Sequence, residues 1–195
     1  MSKLYFRYGA MNSGKTTALL QVAHNYEEKG MRVLLMKPAI DTKGDNLIVS
    51  RLGISRPVDI LLTKEDTIIK YLPDTDIPLG AIIVDEAQFL TPEQVNELYF
   101  ITKALNIPIL CYGLRCDFQM KGFPGSTRLL EIADSLEELK TICSCGKKAT
   151  QNLRLINNKP VFEGEQISID NQDKVKYDSV CGDCYLKLRG EIKNV

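Results

Sequence analysis

The residues best suited to chemistry open the chain. Gly9-Ala10-Met11-Asn12-Ser13-Gly14-Lys15-Thr16 fits G-x-x-x-x-G-K-[ST], the spacing of a phosphate-binding loop. Gly9 and Gly14 allow φ values and close backbone approach that a Cβ would obstruct. The intervening N–H groups can then face an anion at the positive end of a helix. Lys15 would reach the outer phosphates, and the Thr16 hydroxyl would coordinate Mg²⁺. A second signature is Ile82-Ile83-Val84-Asp85-Glu86-Ala87-Gln88. A branched apolar run ending in two carboxylates reads as a buried strand delivering them at its C-terminal edge, where open α/β sheets bind ligands. Asp85 suits a Mg²⁺ role complementary to Thr16. Glu86, pointing differently, suits a base that takes a proton from an attacking nucleophile. The third signature is Cys143-Ser144-Cys145-Gly146 with Cys181-Gly182-Asp183-Cys184. Four thiolates in two turns suit a tetrahedral structural Zn²⁺, with free reduced cysteines as the alternative.

These groups need elements to hold them. Leu4-Tyr5-Phe6-Arg7-Tyr8 reads as a strand feeding the loop. Ala18, Leu19, Val22, Ala23 and Tyr26 predict a helix over residues 17–29 with one buried face, stopped by Gly30. The lone histidine, His24, sits at the edge of that face and reads as a partly exposed helix residue. Residues 32–37 are apolar enough for a parallel strand covered on both faces. Residues 38–57 form a polar excursion containing one short strand at 47–49. A strand at 58–63 and a short helix at 64–72 are expected before the carboxylate strand. Thr91, Pro92 and Gln94 form the start of a helix with a capping box. A strand over 107–113 leads into a turn-rich segment, 114–126. There Phe118 and Phe123 are suited to closing over a flat ligand as a lid, or to pinning the loop to the core. A short helix at 127–133 follows, and residues 151–161 and 166–177 read as hairpin material. Cys111 and Cys116 read as a buried strand thiol and a loop thiol. The pattern is α/β: a P-loop, RecA-like, mostly parallel sheet with flanking helices over residues 1–140, plus a small zinc-binding subdomain over 141–195.

Twenty-five basic and twenty-five acidic residues cancel in this 195-residue chain, so no global field draws it to nucleic acid or an anionic membrane. No apolar run has transmembrane length and no secretory signal is visible, so a cytoplasmic protein is expected. The phosphate loop and strand-end carboxylates imply Mg²⁺ with ATP. They leave open a small-molecule kinase, a nucleotide-binding regulatory module, or a zinc-containing P-loop ATPase acting on nucleic acid. A motor needs a second ATPase lobe, and the chain is too short for one. A kinase needs a base beside its acceptor and a lid, and both have candidates here.

Taken together, GAMNSGKT at 9–16, DEAQF at 85–89, YGLRCDF at 112–118, FPGS and LLEIAD within 123–134, ICSCG at 142–146 and YDSVCGDC at 177–184 resemble the zinc-containing, tetrameric thymidine kinase family. The likeness covers nearly the whole chain. It implies transfer of the ATP γ-phosphoryl group to the 5′-hydroxyl of thymidine or deoxyuridine, with Glu86 as general base. It also implies donor binding by residues 9–16 and by Asp85, Glu86, Ala87 and Gln88. Met11, Phe89, Leu114, Phe118, Phe123 and Tyr177 would line the nucleoside pocket. A lasso over Ile167, Ser168, Ile169, Asp170, Asn171 and Gln172 would hold the pyrimidine through main-chain hydrogen bonds. The zinc ligands would be Cys143, Cys145, Cys181 and Cys184. A homotetramer and feedback by thymidine triphosphate (dTTP) come with the resemblance. Two departures stand out: Lys43 where the family commonly has arginine, and Asp170-Asn171 where it has Gly-Gly.

Overall fold

A computed structural model of the chain describes residues 1–39, 46–73, 79–166 and 175–192. Lys43 and the lasso residues Ile167, Ser168, Ile169, Asp170, Asn171 and Gln172 lie outside the described residues.

The first strand, β1 (Leu4–Tyr8), runs into the glycine loop and α1 (Lys15–Glu27), and β2 (Arg32–Pro38) returns to the sheet. Leu19, Leu20 and Ala23 form the buried face of α1, and Gly30, at φ 72°, turns the chain as the sequence predicts. The excursion holds a small antiparallel ribbon, β3 (Leu47–Val49) with β4 (Ser55–Pro57). Then come β5 (Ile60–Leu62), β6 (Leu79–Val84), α2 (Pro92–Ala104), β7 (Ile109–Gly113), α3 (Pro124–Ile132) and β8 (Ser135–Glu138). The central sheet is parallel throughout, in the order β5-β2-β6-β7-β1-β8. One strand, β7, separates β1 from β6. The glycine loop and the carboxylates therefore emerge at the same sheet edge, about 10 Å apart at ordinary strand spacing. Apolar layers cover both faces: Leu4, Phe6, Ile82 and Val84 pack toward α2 and α3, while Ala81, Ile83 and Tyr112 pack toward α1. This two-sided burial is why the strands read as near-continuous apolar runs.

Three local expectations differ from the structure. Residues 64–72 form only a short 3₁₀ turn, Ile69–Tyr71. Glu97 of α2 accepts the N–H groups of Ile68 and Ile69, and buried Gln94 donates to the carbonyls of Thr63 and Asp66. Those backbone groups are thereby withdrawn from a helical ladder. The helix expected at 127–133 begins earlier, at Pro124, which sits in its first turn. Strand β8 was not expected; its sequence, Ser-Leu-Glu-Glu, carries little apolar signal because it lies at the sheet edge beside β1. The α2 capping box stands as predicted: Thr91 Oγ1 accepts from the Gln94 N–H, and Gln94 reaches back to the Thr91 N–H.

The C-terminal part has its own small core of Cys143, Ala149, Leu153, Val180, Cys181 and Tyr185. It is built from β9 (Thr141–Ile142) with β10 (Lys148–Ala149), and from β11 (Gln151–Ile156) flanked by β12 (Lys159–Val161) and β13 (Val175–Val180). Helix α4 (Gly182–Arg189) closes it. Asn157 and Asn158, both at positive φ, make the tight β11–β12 turn. No helix among the described residues is long and apolar enough to cross a membrane.

Candidate active site

The glycine loop is shaped by its own sequence. Gly14 adopts φ 76°, and Asn12 also enters the left-handed region at φ 64°. A Cβ on Gly9 would collide with the Leu139 carbonyl and Ser13 Oγ. Helix α1 starts without a side-chain cap and without an acidic residue in its first turn, so its positive end is open to an anion. Two loop N–H groups are already used: Gly9 donates to the Gly113 carbonyl and Met11 to Asn152 Oδ1. Lys15 folds back over the loop, donating to the Ala10 carbonyl at 2.8 Å and the Gly9 carbonyl at 3.3 Å. Its ammonium is enclosed there. Burial lowers its pKa to about 8, against the opposing pull of Glu86 and Asp85. Thr16 follows at the second helical residue, half-buried.

Across β7, Asp85 ends the carboxylate strand, 6% exposed. Burial first, and the neighbouring Glu86 carboxylate second, push its pKa up to about 7. Its Oδ1 accepts the Glu86 N–H at 3.0 Å. A buried carboxylate with lone pairs to spare, held at a shared edge with a threonine hydroxyl, fits a hard divalent cation. Glu86 itself sits at φ 51° and lines a cavity of about 210 Å³.

That cavity gathers the nucleoside-pocket residues expected from sequence. Met11, Phe89, Leu114, Phe118, Phe123 and Tyr177 all line it, together with Glu86. Phe89 and Phe123 meet edge-on at 5.3 Å. In this conformation the segment expected as a lid is built into the pocket wall. Asp117 Oδ1 accepts the N–H groups of Gln119 and Lys121, Cys116 bridges to Gly122, and Ser126 donates to the Leu114 carbonyl. Cys116, read as a loop thiol, is consequently buried. Ala87 and Gln88, expected on the donor side, are both buried, and Gln88 lines this same cavity.

Three further wall residues escaped the sequence reading, Asp117, Asn152 and Gln166, and so did Arg154, which packs on Phe118 and Tyr177. Arg154 is 3% exposed with its guanidinium 3.8 Å from the centre of the Phe118 ring. It donates to Tyr177 Oη at 3.0 Å and to the Gln166 carbonyl at 3.2 Å. Gln166 in turn donates to Asp117 Oδ2. Arg154 thus ties together the chain on both sides of residues 167–174. Asn152 joins the C-terminal sheet to the glycine loop: its Oδ1 accepts from Met11 at 2.8 Å and its Nδ2 donates to the Cys116 carbonyl at 2.7 Å. Strand alternation hid both residues. Along β11, Asn152 and Arg154 alternate with Leu153 and Leu155, a pattern that gives no sign that their face is covered by the 114–123 segment.

The four cysteines come together with their sulfurs all within 4.8 Å of one another. Tetrahedral coordination at the usual Zn–S length of about 2.3 Å needs S–S separations near 3.8 Å, so the cluster is of the right size. Gly146, at φ 83°, turns the first knuckle, and Cys181 caps α4 by accepting the Cys184 N–H. The metal knuckles are braced to the pocket. Tyr185, next to Cys184 and fully buried, donates from Oη to the Phe118 carbonyl at 2.6 Å.

The family model described as "Thymidine kinase" matches residues 2–185. A thymidine kinase of Chromobacterium violaceum is 46% identical over 187 residues, spanning 95% of this chain and 98% of that protein. A thymidine kinase of Coxiella burnetii is 46% identical over 93% of each chain. One of Legionella pneumophila is 48% identical over 89% of this chain and 85% of its own.

Proposed function

The chain belongs to the thymidine kinase family, and we propose that it moves the ATP γ-phosphoryl group to the 5′-hydroxyl of thymidine or deoxyuridine, giving the nucleoside monophosphate and ADP. The observation that carries this reading is the position of Glu86. It stands between the glycine loop, whose Lys15 it attracts, and the cavity lined by Met11, Leu114, Phe118 and Tyr177. ATP phosphates occupy the loop from Gly9 to Thr16, at the open N-terminus of α1. Lys15 leaves its carbonyl partners for the outer phosphates, and Asp85 faces the same phosphates from the end of β6. The nucleoside enters the aromatic cavity with its 5′-hydroxyl toward Glu86. Glu86 takes the hydroxyl proton as that oxygen bonds to the γ-phosphorus, and the bond from phosphorus to the β–γ bridging oxygen breaks to release ADP. Thr16 and Asp85 would hold Mg²⁺, which supplies charge neutralisation for the phosphates.

Residues 1–140 carry the donor chemistry in this reading, and residues 141–195 carry the lasso and the metal. Main-chain groups of residues 167–172 hold the pyrimidine, and Arg154 secures the two ends of that segment. Four soft thiolates favour Zn²⁺ at Cys143, Cys145, Cys181 and Cys184, in a closed structural site. Homotetramer formation and feedback by dTTP rest on the family resemblance alone, and a cytoplasmic location on the sequence reading.

The test is ADP release with a panel of nucleosides, with single-stranded DNA as the control, for the parent protein and Glu86→Gln. Stimulation by thymidine and deoxyuridine, lost in Glu86→Gln while ATP still binds, is expected. Stimulation by DNA instead, or full turnover in Glu86→Gln, would overturn the reading.

A further inference from the structure

Gln88 has both ends of its amide committed, and what they hold is informative. The side chain is 1% exposed. Its Oε1 accepts the Leu114 N–H at 3.0 Å, and its Nε2 donates to Glu86 Oε2 at 2.5 Å. The chemistry admits one orientation, since only the oxygen can take an N–H and only the NH₂ can give to a carboxylate. Among the described residues this is the one side-chain hydrogen bond to the Glu86 carboxylate. The amide is also caged. A Cβ on Gly113 would lie 2.7 Å from Gln88 Oε1, and one on Gly125 would lie 2.6 Å from the Ala87 carbonyl and 3.0 Å from that of Gln88. Two glycines on neighbouring elements let the 3₁₀ turn Ala87–Phe89 pack backbone to backbone. Leu114, at the far end of the amide, is itself a wall of the acceptor cavity.

We propose that Gln88 is a positioning residue that fixes the Glu86 carboxylate relative to the acceptor wall, a role that rests on Glu86 being the base. Glu86 is held on a strained left-handed residue and is half-buried, so its backbone alone leaves the carboxylate free to choose rotamers. The Gln88 amide removes that freedom by tying one oxygen to the main chain of the segment that contacts the nucleoside. The other oxygen stays free to receive a proton. Because Gln88 acts through Glu86, its loss lowers turnover and leaves substrate affinity nearly intact.

The experiment measures kcat and both KM values for Gln88→Glu, Gln88→Met, Glu86→Gln and the double variant Glu86→Gln/Gln88→Met, with thermal unfolding to confirm folding. Gln88→Glu keeps the shape and the acceptor for Leu114 but sets a second carboxyl group against that of Glu86 in place of the amide donor, and Gln88→Met keeps the volume alone. Each is expected to lower kcat about tenfold to a hundredfold with both KM values within about threefold, as misplacement of a reacting group does. In the Glu86→Gln background the Gln88 change should alter residual turnover less than about twofold. Gly113→Ala, which pushes a Cβ against the same amide from behind, should give the same split and serves if both Gln88 variants fail to fold. Parental kcat in folded Gln88 variants, a loss confined to KM, or an equal further loss in the Glu86→Gln background would each overturn the assignment. Normal turnover in Glu86→Gln would instead sink the base reading itself, and the two failures are told apart by that single variant.

Discussion

Asn152→Leu should loosen the glycine loop from the C-terminal sheet, and the structure sets the size of the effect. The substitution keeps the side-chain volume but deletes two hydrogen bonds, from the Met11 N–H at 2.8 Å and to the Cys116 carbonyl at 2.7 Å. Cys116 is buried, so its carbonyl loses its partner where water cannot replace it; Met11 is half-buried, so its N–H recovers part of the loss from solvent. A buried polar group left unpaired costs about 1–3 kcal/mol, and a partly wet one less, so the sum is about 2–3 kcal/mol. For a domain of this length each kcal/mol lowers Tm by about 2–4 °C, giving a fall of about 4–12 °C. Calorimetry on the ligand-free protein measures it. Asn12→Gly is the control, since glycine tolerates the φ of 64° at this position and the change removes only an exposed 3.5 Å contact with Asp178, so Tm should stay within about 1 °C. The KM for ATP should rise in Asn152→Leu as the loop loses its anchor. A Tm within 1–2 °C of the parent, roughly the scatter of neutral surface changes, would refute the idea that this side chain carries the link.

Arg154→Lys should raise the nucleoside KM about tenfold while leaving the KM for ATP unchanged, because an ammonium cannot hold Tyr177 Oη and the Gln166 carbonyl together while lying flat on Phe118; equal nucleoside KM values in steady-state assays would contradict this. Lys15→Met should abolish turnover yet stabilise the ligand-free protein near pH 7. Burial lowers the folded-state pKa of Lys15 to about 8 from its ordinary 10.5, so the enclosed charge destabilises the fold below about pH 8, and that penalty fades as pH rises toward 10.5. Melting curves should show an advantage for Lys15→Met at pH 7 that vanishes by about pH 10; an advantage that grows with pH would invert the sign and refute it. Metal analysis should find one zinc per chain, and its removal by a chelator should weaken thymidine binding more than ATP binding, because Tyr185 beside Cys184 holds the Phe118 carbonyl. Metal-free protein with unchanged thymidine affinity would rule out that connection.

What could be read in the linear chain shares one property: its physical cause is local. Gly14 must be glycine where the loop turns into α1, Thr91 and Gln94 cap α2 three residues apart, and apolar runs covered on both faces announce parallel strands. The cysteine pairs declared a metal site because thiols at such spacing have few other uses in a chain of this kind. Even the pocket residues Met11, Phe89, Phe118 and Tyr177 were found through motifs, each a short string whose members sit together.

The tertiary structure decided everything that depends on which strand lies beside which. Parallel pairing brings the loop after β1 and the carboxylates after β6 to one edge, and the order β5-β2-β6-β7-β1-β8 sets them two strand spacings apart. Arg154 and Asn152 stayed within a stretch read only as hairpin material because nothing near them in sequence reveals that the 114–123 segment covers their face. Residues 64–72 kept a helical appearance until Glu97 and Gln94, from α2, claimed their backbone groups. Gln88 shows the division within one residue. Its motif marks it as part of the site, while its task comes from an N–H at Leu114 and a glycine at 113, both brought to it by the neighbouring strand.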